Sequence, residues 1–214
     1  SVIETGARFL LDPRTKHEPT LVSPDAAARS RRIDFLCRAI DAAGELASDC
    51  VSLWSGVVHD GAGSTVAWDR LQDGLSKTLD YAQARRVSVG FEPEPGMLID
   101  TMQQYDELVR RLAHPALRLT LDVGHLHCQG ELPLVDYLAR YSQQLVNVHI
   151  EDMRRGVHEH LMFGEGEIDF LPVMRYLNGC GYAGGIHVEL SRHSHDGPQA
   201  ARRAFAFLAP LMAS

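Results

Sequence analysis

Short apolar runs alternate with longer amphipathic stretches along the whole chain. The runs Val2–Arg8, Cys50–Ser55, Val87–Glu92, Leu117–Asp122, Leu145–Ile150 and Gly185–Leu190 read as strands. Helical periodicity fills the intervals. One helix is opened by Ser23-Pro24-Asp25, a cap residue followed by proline at the first helical position, and reaches Ala47. Val66–Arg85, Asp100–Ala113, Leu132–Ser142, Phe170–Asn178 and Pro198–Met212 follow, with Asn178-Gly179 suited to a helix exit. Strand then helix, repeated along the chain, means parallel βαβ units and an α/β fold. Runs such as VSVGF, LRLTL and LVNVHI carry few charges before their ends, as strands covered by helices do. An open doubly wound sheet and a (β/α) barrel both satisfy this pattern. No G-x-G-x-x-G follows the first strand, which removes support from the dinucleotide-binding version of the open sheet.

Composition narrows the partners. The 214 residues are 45% hydrophobic and 23% charged, enough for one sizeable core, and no linker-like tract divides them, so a single domain over 1–214 is expected. A net charge of −7 gives no basic footprint for nucleic acid. No apolar run reaches the roughly 18 residues of a membrane span, and no secretory signal opens the chain. Cys37, Cys50, Cys128 and Cys180 are scattered without a C-x-x-C and read as reduced thiols of a cytoplasmic protein.

Polar residues collect where the strands end. Glu92, Asp122, His149 and Glu189 close four successive strand candidates, at separations of 30, 27 and 40 residues. Each interval is about one βα unit of ~30 residues. In a barrel those ends converge on one face, where active sites sit. Three carboxylates and an imidazole meeting there would repel one another without a cation. Oxygen donors with one nitrogen suit Mn²⁺ or Mg²⁺, with Zn²⁺ or Co²⁺ as alternatives. Taken singly, Asp122 is more often a helix cap, His149 a hydrogen-bonded core residue, Glu92 a turn residue and Glu189 an edge charge. Four such accidents at the same end of four consecutive strands are less probable than one site.

The segments FEPEPG, LTLDVGH, VNVHIEDM, HEHLMFGEGEIDF and HVELSRH together resemble the xylose isomerase-like TIM-barrel superfamily, which holds sugar isomerases, ketose 3-epimerases and apurinic-site endonucleases. The resemblance spans essentially the whole chain and implies a (β/α)8 TIM barrel. It implies a divalent metal held by Glu92, Asp122, His149 and Glu189, with Glu92 and Glu189 also moving the substrate proton. His125, three residues past Asp122, would touch substrate, as would His158 and His160 before the Gly164-Glu165-Gly166 turn. Arg154 could hold a distal hydroxyl or carboxylate, although a solvated loop residue is the commoner outcome. Trp54 could stack on a sugar ring, although a barrel-interior aromatic is at least as common.

If the four ligands occupy barrel strands five to eight, Val2–Arg8 is strand three and the first two βα units are missing. The expectation is then an N-terminally incomplete barrel whose open edge a partner subunit covers, that is, a homo-oligomer. The implied activity is isomerisation or epimerisation of a small sugar-like hydroxy-ketone through an enediolate. A metal-dependent phosphodiesterase of the apurinic-site endonuclease kind is the alternative. It is disfavoured because IETGARF and LWSGVV supply no strand-end histidine. A non-catalytic barrel relic is the third reading, and the retention of both Glu92 and Glu189 argues against it.

Overall fold

The computed structural model describes residues 1–212, which separate into two compact units, Ser1–Thr120 and the residues from Leu121 onward. The first unit runs β1 (Val2–Glu4), α1 (Ala26–Glu45), β2 (Cys50–Leu53), α2 (Ser64–Arg85), β3 (Ser88–Phe91), α3 (Met102–Leu112) and β4 (Leu117–Asp122), the last two residues of β4 belonging to the second unit. Its strands are parallel neighbours in the order β1, β2, β3, β4, with Glu4 level with Ser52, Leu53 with Phe91 and Phe91 with Leu119. Val51, Leu53, Val89, Phe91 and Leu119 are buried, as are Leu36 and Ile40 of α1 and Leu71, Leu75 and Leu79 of α2. A parallel strand buried on both faces needs such continuous apolar runs.

Local chemistry moves several boundaries. The cap of α1 is Asp25, whose carboxylate accepts the N–H groups of Ala27 and Ala28. The Ser23 hydroxyl is engaged elsewhere: it accepts from the Thr20 N–H and donates to Glu18 Oε2. The first strand stops at Glu4, not Arg8, because Ala7 and Phe9 adopt left-handed backbone (φ +50° and +54°). Helix α3 begins with a capping box in which Thr101 and Gln104 satisfy each other's backbone N–H groups.

The second unit continues from the end of β4 through α4 (Val123–Gln129), α5 (Leu134–Tyr141), β5 (Leu145–Ile150), β6 (Asp152–Arg154), β7 (Val157–Leu161), α6 (Phe170–Gly179), β8 (Ile186–Val188), a 3₁₀ turn at Ser194–Asp196 and α7 (Gly197–Met212). β5 and β8 pair in parallel, with His149 level with His187. The helix expected to leave at Asn178-Gly179 instead includes Gly179 and is capped by Cys180 in right-handed geometry. Three elements, α4, β6 and β7, have no counterpart in the sequence reading. α4 starts directly on Asp122, and β6 and β7 form an antiparallel hairpin around Gly156 at φ +71°. The Asp152 carboxylate fastens the segment beyond this hairpin, accepting from the N–H groups of Met153, Gly164 and Ile168. Four parallel strands in the first unit and two in the second stand against the eight of a full barrel. Among the described residues no helix is long and apolar enough to cross a membrane.

Candidate metal centre

Asp122 does two things at once. As the N-cap of α4, its Oδ1 accepts the His125 N–H at 2.9 Å. Its Oδ2 is buried, with His125 Nε2 3.6 Å away, and the Glu151 carboxyl is a hydrogen-bonding neighbour of this carboxylate. The cap and ligand readings of this residue therefore do not compete, since each takes a different oxygen. Burial alone would raise the Asp122 pKa. The imidazoles of His125 and His149 more than reverse this and hold it at about 2, so the group is a carboxylate at neutral pH.

His149 lies on β5 with one ring nitrogen toward each of two partners. The Asn147 amide N–H donates to Nε2 at 2.9 Å, which puts the ring proton on Nδ1, 3.1 Å from Glu189 Oε2. Glu189 follows β8 directly, and its half-buried carboxylate lies below the usual range: burial pushes its pKa up, and the hydrogen bond from His149 outweighs it. Asp122, His149 and Glu189 each present a ligand atom within 4.8 Å of the others. With the Asn147 amide reversed, so that its oxygen accepts Nε2–H, the Nδ1 lone pair becomes available to a cation. Two carboxylates and an imidazole are the donor set that Mn²⁺, Mg²⁺ or Zn²⁺ accept, so the residues of this unit fit a divalent ion.

Glu151 is a member of this neighbourhood that the sequence reading passed over. It is fully buried, neither of its oxygens has a partner in good hydrogen-bond geometry, and His160 Nδ1 is 3.9 Å from Oε2. Burial, and then the negative charge of Asp122, push its pKa well above the ordinary value. The signal for it was present: His149 and Glu151 are two apart on one run, and alternate strand residues share a face. The carboxyl group lies against Gly124, where a Cβ would overlap it. Gly124→Ala is therefore expected to lower stability by roughly 1–3 kcal/mol, the usual cost of forcing atoms into a filled interior. Urea denaturation reads this, and an unchanged midpoint would mean that Glu151 does not occupy that space.

Three imidazoles gather beside these residues. His125, His158 and His160 bring ring nitrogens within 4.8 Å of one another, with His158 Nε2 3.2 Å from His125 Nε2. Burial, then the charges of His125 and His160, lower the His158 pKa to about 4, and its ring is neutral over the physiological range. Arg154 is exposed on β6 and donates to the Glu165 carbonyl at 3.0 Å, as a solvated loop residue would. In the first unit, Glu92 directly follows β3, is 3% exposed, and its N–H donates to the Leu53 carbonyl. Trp54 directly follows β2 and is half-buried.

A family model described as a xylose isomerase-like TIM barrel matches residues 6–211. An L-ribulose-5-phosphate 3-epimerase from Shigella flexneri is 25% identical over 201 residues, spanning 94% of this chain and 70% of that protein. Among solved structures, a 3-keto-D-glucoside 4-epimerase from E. coli superposes with a TM-score of 0.77 at 17% identity, over 90% of this chain and 76% of that one. A protein named IOLI, solved with a zinc atom, gives 0.75 at 19% identity over 98% and 86%. At these identities the structural likenesses speak to fold.

Proposed function

Since the chain belongs to the xylose isomerase-like TIM-barrel family, we propose that it is a divalent-metal-dependent isomerase or epimerase of a sugar or related hydroxy-ketone. The reaction would move a proton on and off the carbon next to the carbonyl. The observation that carries this reading is the division of labour at Asp122, where one oxygen caps a helix and the other is a buried carboxylate oxygen within ligand reach of His149 and Glu189.

In this reading Asp122, His149 and Glu189 hold the ion, and the family resemblance assigns Glu92 as the fourth ligand. The ion would offset the negative charge that develops on substrate oxygens as the proton leaves. Glu189, ionised at neutral pH, takes or returns that proton, and the family resemblance gives Glu92 the matching role. His125, His160 and the neutral His158 orient substrate hydroxyls, and Trp54 offers its ring to the carbon chain. The relative named as an L-ribulose-5-phosphate 3-epimerase makes a ketopentose, with or without phosphate, the first substrate to try.

The test is deuterium exchange in buffered D₂O with Mn²⁺ and a panel of ketoses, keto-inositols and their acids. Label is expected at the carbon beside the carbonyl of at least one of them. A panel that takes up no label above the protein-free rate would overturn the reading. The cluster of His125, His158 and His160 favours a second reading, a metal-dependent phosphodiesterase, because three more nitrogen donors can hold further zinc ions. Three tightly bound zinc ions per chain would support that one instead.

A further inference from the structure

Helix α1 turns a charge inward. Its buried face is Ala28, Arg32, Leu36, Ala39, Ile40 and Ala43, so Arg32 occupies a core position of an otherwise apolar stripe and is 1% exposed. Its guanidinium lies 4.9 Å from the Trp54 ring centroid and 5.4 Å from that of Phe35. Nη2 donates to the Thr5 carbonyl at 2.8 Å, whereas Nη1 is buried with no hydrogen-bond partner. Glu18 is the carboxylate whose charge reaches this group. Its Oε2 already accepts from the Ser23 hydroxyl, and its Oε1 is 3.2 Å from His59 Nε2. Burial lowers the Arg32 pKa to about 10, which still leaves a cation at neutral pH. A buried guanidinium with an unmet donor is costly unless something else supplies the anion.

The position of this cation is informative. Thr5, Trp54 and Glu92 each come directly after a strand, β1, β2 and β3, and these strands are parallel neighbours in register. Arg32 therefore reaches the same edge of the first unit's sheet as Glu92. It arrives from the helix side, and its guanidinium is stacked on the aromatic ring offered above to the sugar carbon chain. We propose that Arg32 is the recognition point for an anionic group carried by the substrate, a phosphate or a carboxylate, with Nη1 donating to an anion oxygen. This inference rests on the sugar isomerase reading and adds to it the class of sugar: a phosphorylated or acidic one. A planar fork of donors suits such oxygens better than an ammonium does. The loop between β1 and α1 meets the guanidinium through the Thr5 carbonyl, and the charge of Arg32 reaches His17 in the same loop. There the His17 ring stands edge-on to Trp54 at 5.4 Å, with Nδ1 2.6 Å from the Gly6 carbonyl. With Arg32 at 1% exposure, Nη1 meets an anion only if that loop opens.

Trp54 and Trp68 are the two tryptophans of the chain, so Trp68→Phe leaves Trp54 as the single fluorescent reporter. Inorganic phosphate titrated into that protein, without metal, is expected to change Trp54 emission and to saturate. Arg32→Met should weaken the response by about tenfold or more, and Arg32→Lys by less, since it keeps the charge and loses the fork. Thermal melts select the variant that remains folded for the comparison. A second arm compares a 5-phosphorylated ketopentose, a keto-acid sugar and a neutral ketose with Mn²⁺ present. Arg32→Met should lower the preference for one anionic sugar over the neutral one by about tenfold, and the sugar that loses identifies phosphate or carboxylate. No phosphate response in the parent up to about 50 mM, equal responses in parent and variant, or an unchanged substrate preference would overturn the proposal. The phosphate arm needs neither metal nor turnover. Phosphate binding through Arg32 in a chain that exchanges no label would therefore sink the isomerase reading while leaving the anion site standing.

Discussion

Replacing Glu189 by glutamine should reduce deuterium exchange into substrate by about 10²–10⁴, the range a positioned general base contributes. The substitution keeps side-chain volume and an oxygen donor. The surrounding structure therefore has little reason to move. Exchange is compared at Mn²⁺ concentrations that saturate both proteins, because Glu189 is also a proposed ligand. What is lost is the basic lone pair of a group whose pKa lies below the ordinary carboxylate value because His149 donates to it. Exchange is read by proton NMR as loss of the signal beside the carbonyl. A variant that retains more than about a tenth of the parent rate would remove Glu189 from the proton path.

Asp122→Asn should separate the two roles of that residue. Asparagine can still accept the His125 N–H through its amide oxygen, so the cap of α4 survives. The buried anionic Oδ2 is replaced by a neutral NH₂. Mn²⁺ affinity is expected to fall about 100-fold or more, and the melting temperature without metal to fall modestly, because the charge that the His125 and His149 imidazoles favour in the folded chain is gone. Asp122→Ala removes cap and ligand together, and should lose both metal affinity and about 1 kcal/mol of stability. Equal Mn²⁺ binding by parent and Asp122→Asn would mean that Oδ2 is buried for some other reason.

The parts of the fold legible in the sequence are those fixed by burial over short spans. β2, β3, β4 and β5 read correctly because parallel strands covered on both faces must be continuously apolar up to their ends. The long helices α1 and α2 read correctly from their periodicity. The hairpin of β6 and β7 was not legible, because the bonds that fix the surrounding segment run from Asp152 to the N–H groups of Gly164 and Ile168, 12 and 16 residues away. α4 was hidden because Asp122 ends a strand and caps a helix in the same residue. At the site, the strand-end rule found Asp122, His149 and Glu189, which the second unit brings together. It missed Glu151, one position beyond the β5 strand, although the alternation from His149 pointed to it. Arg32 was also readable in principle. Its spacing of four from Ala28 and Leu36 places it on the apolar stripe of α1, where a charge is out of pattern.

The central claim is that carboxylates and an imidazole distant in sequence serve one cation. Its most direct test is calorimetric titration of the dialysed chain with Mn²⁺, read for stoichiometry. One ion per chain, with binding lost in Asp122→Asn, is the predicted result. A chain that takes up no Mn²⁺, or takes it up undiminished in that variant, would contradict the account.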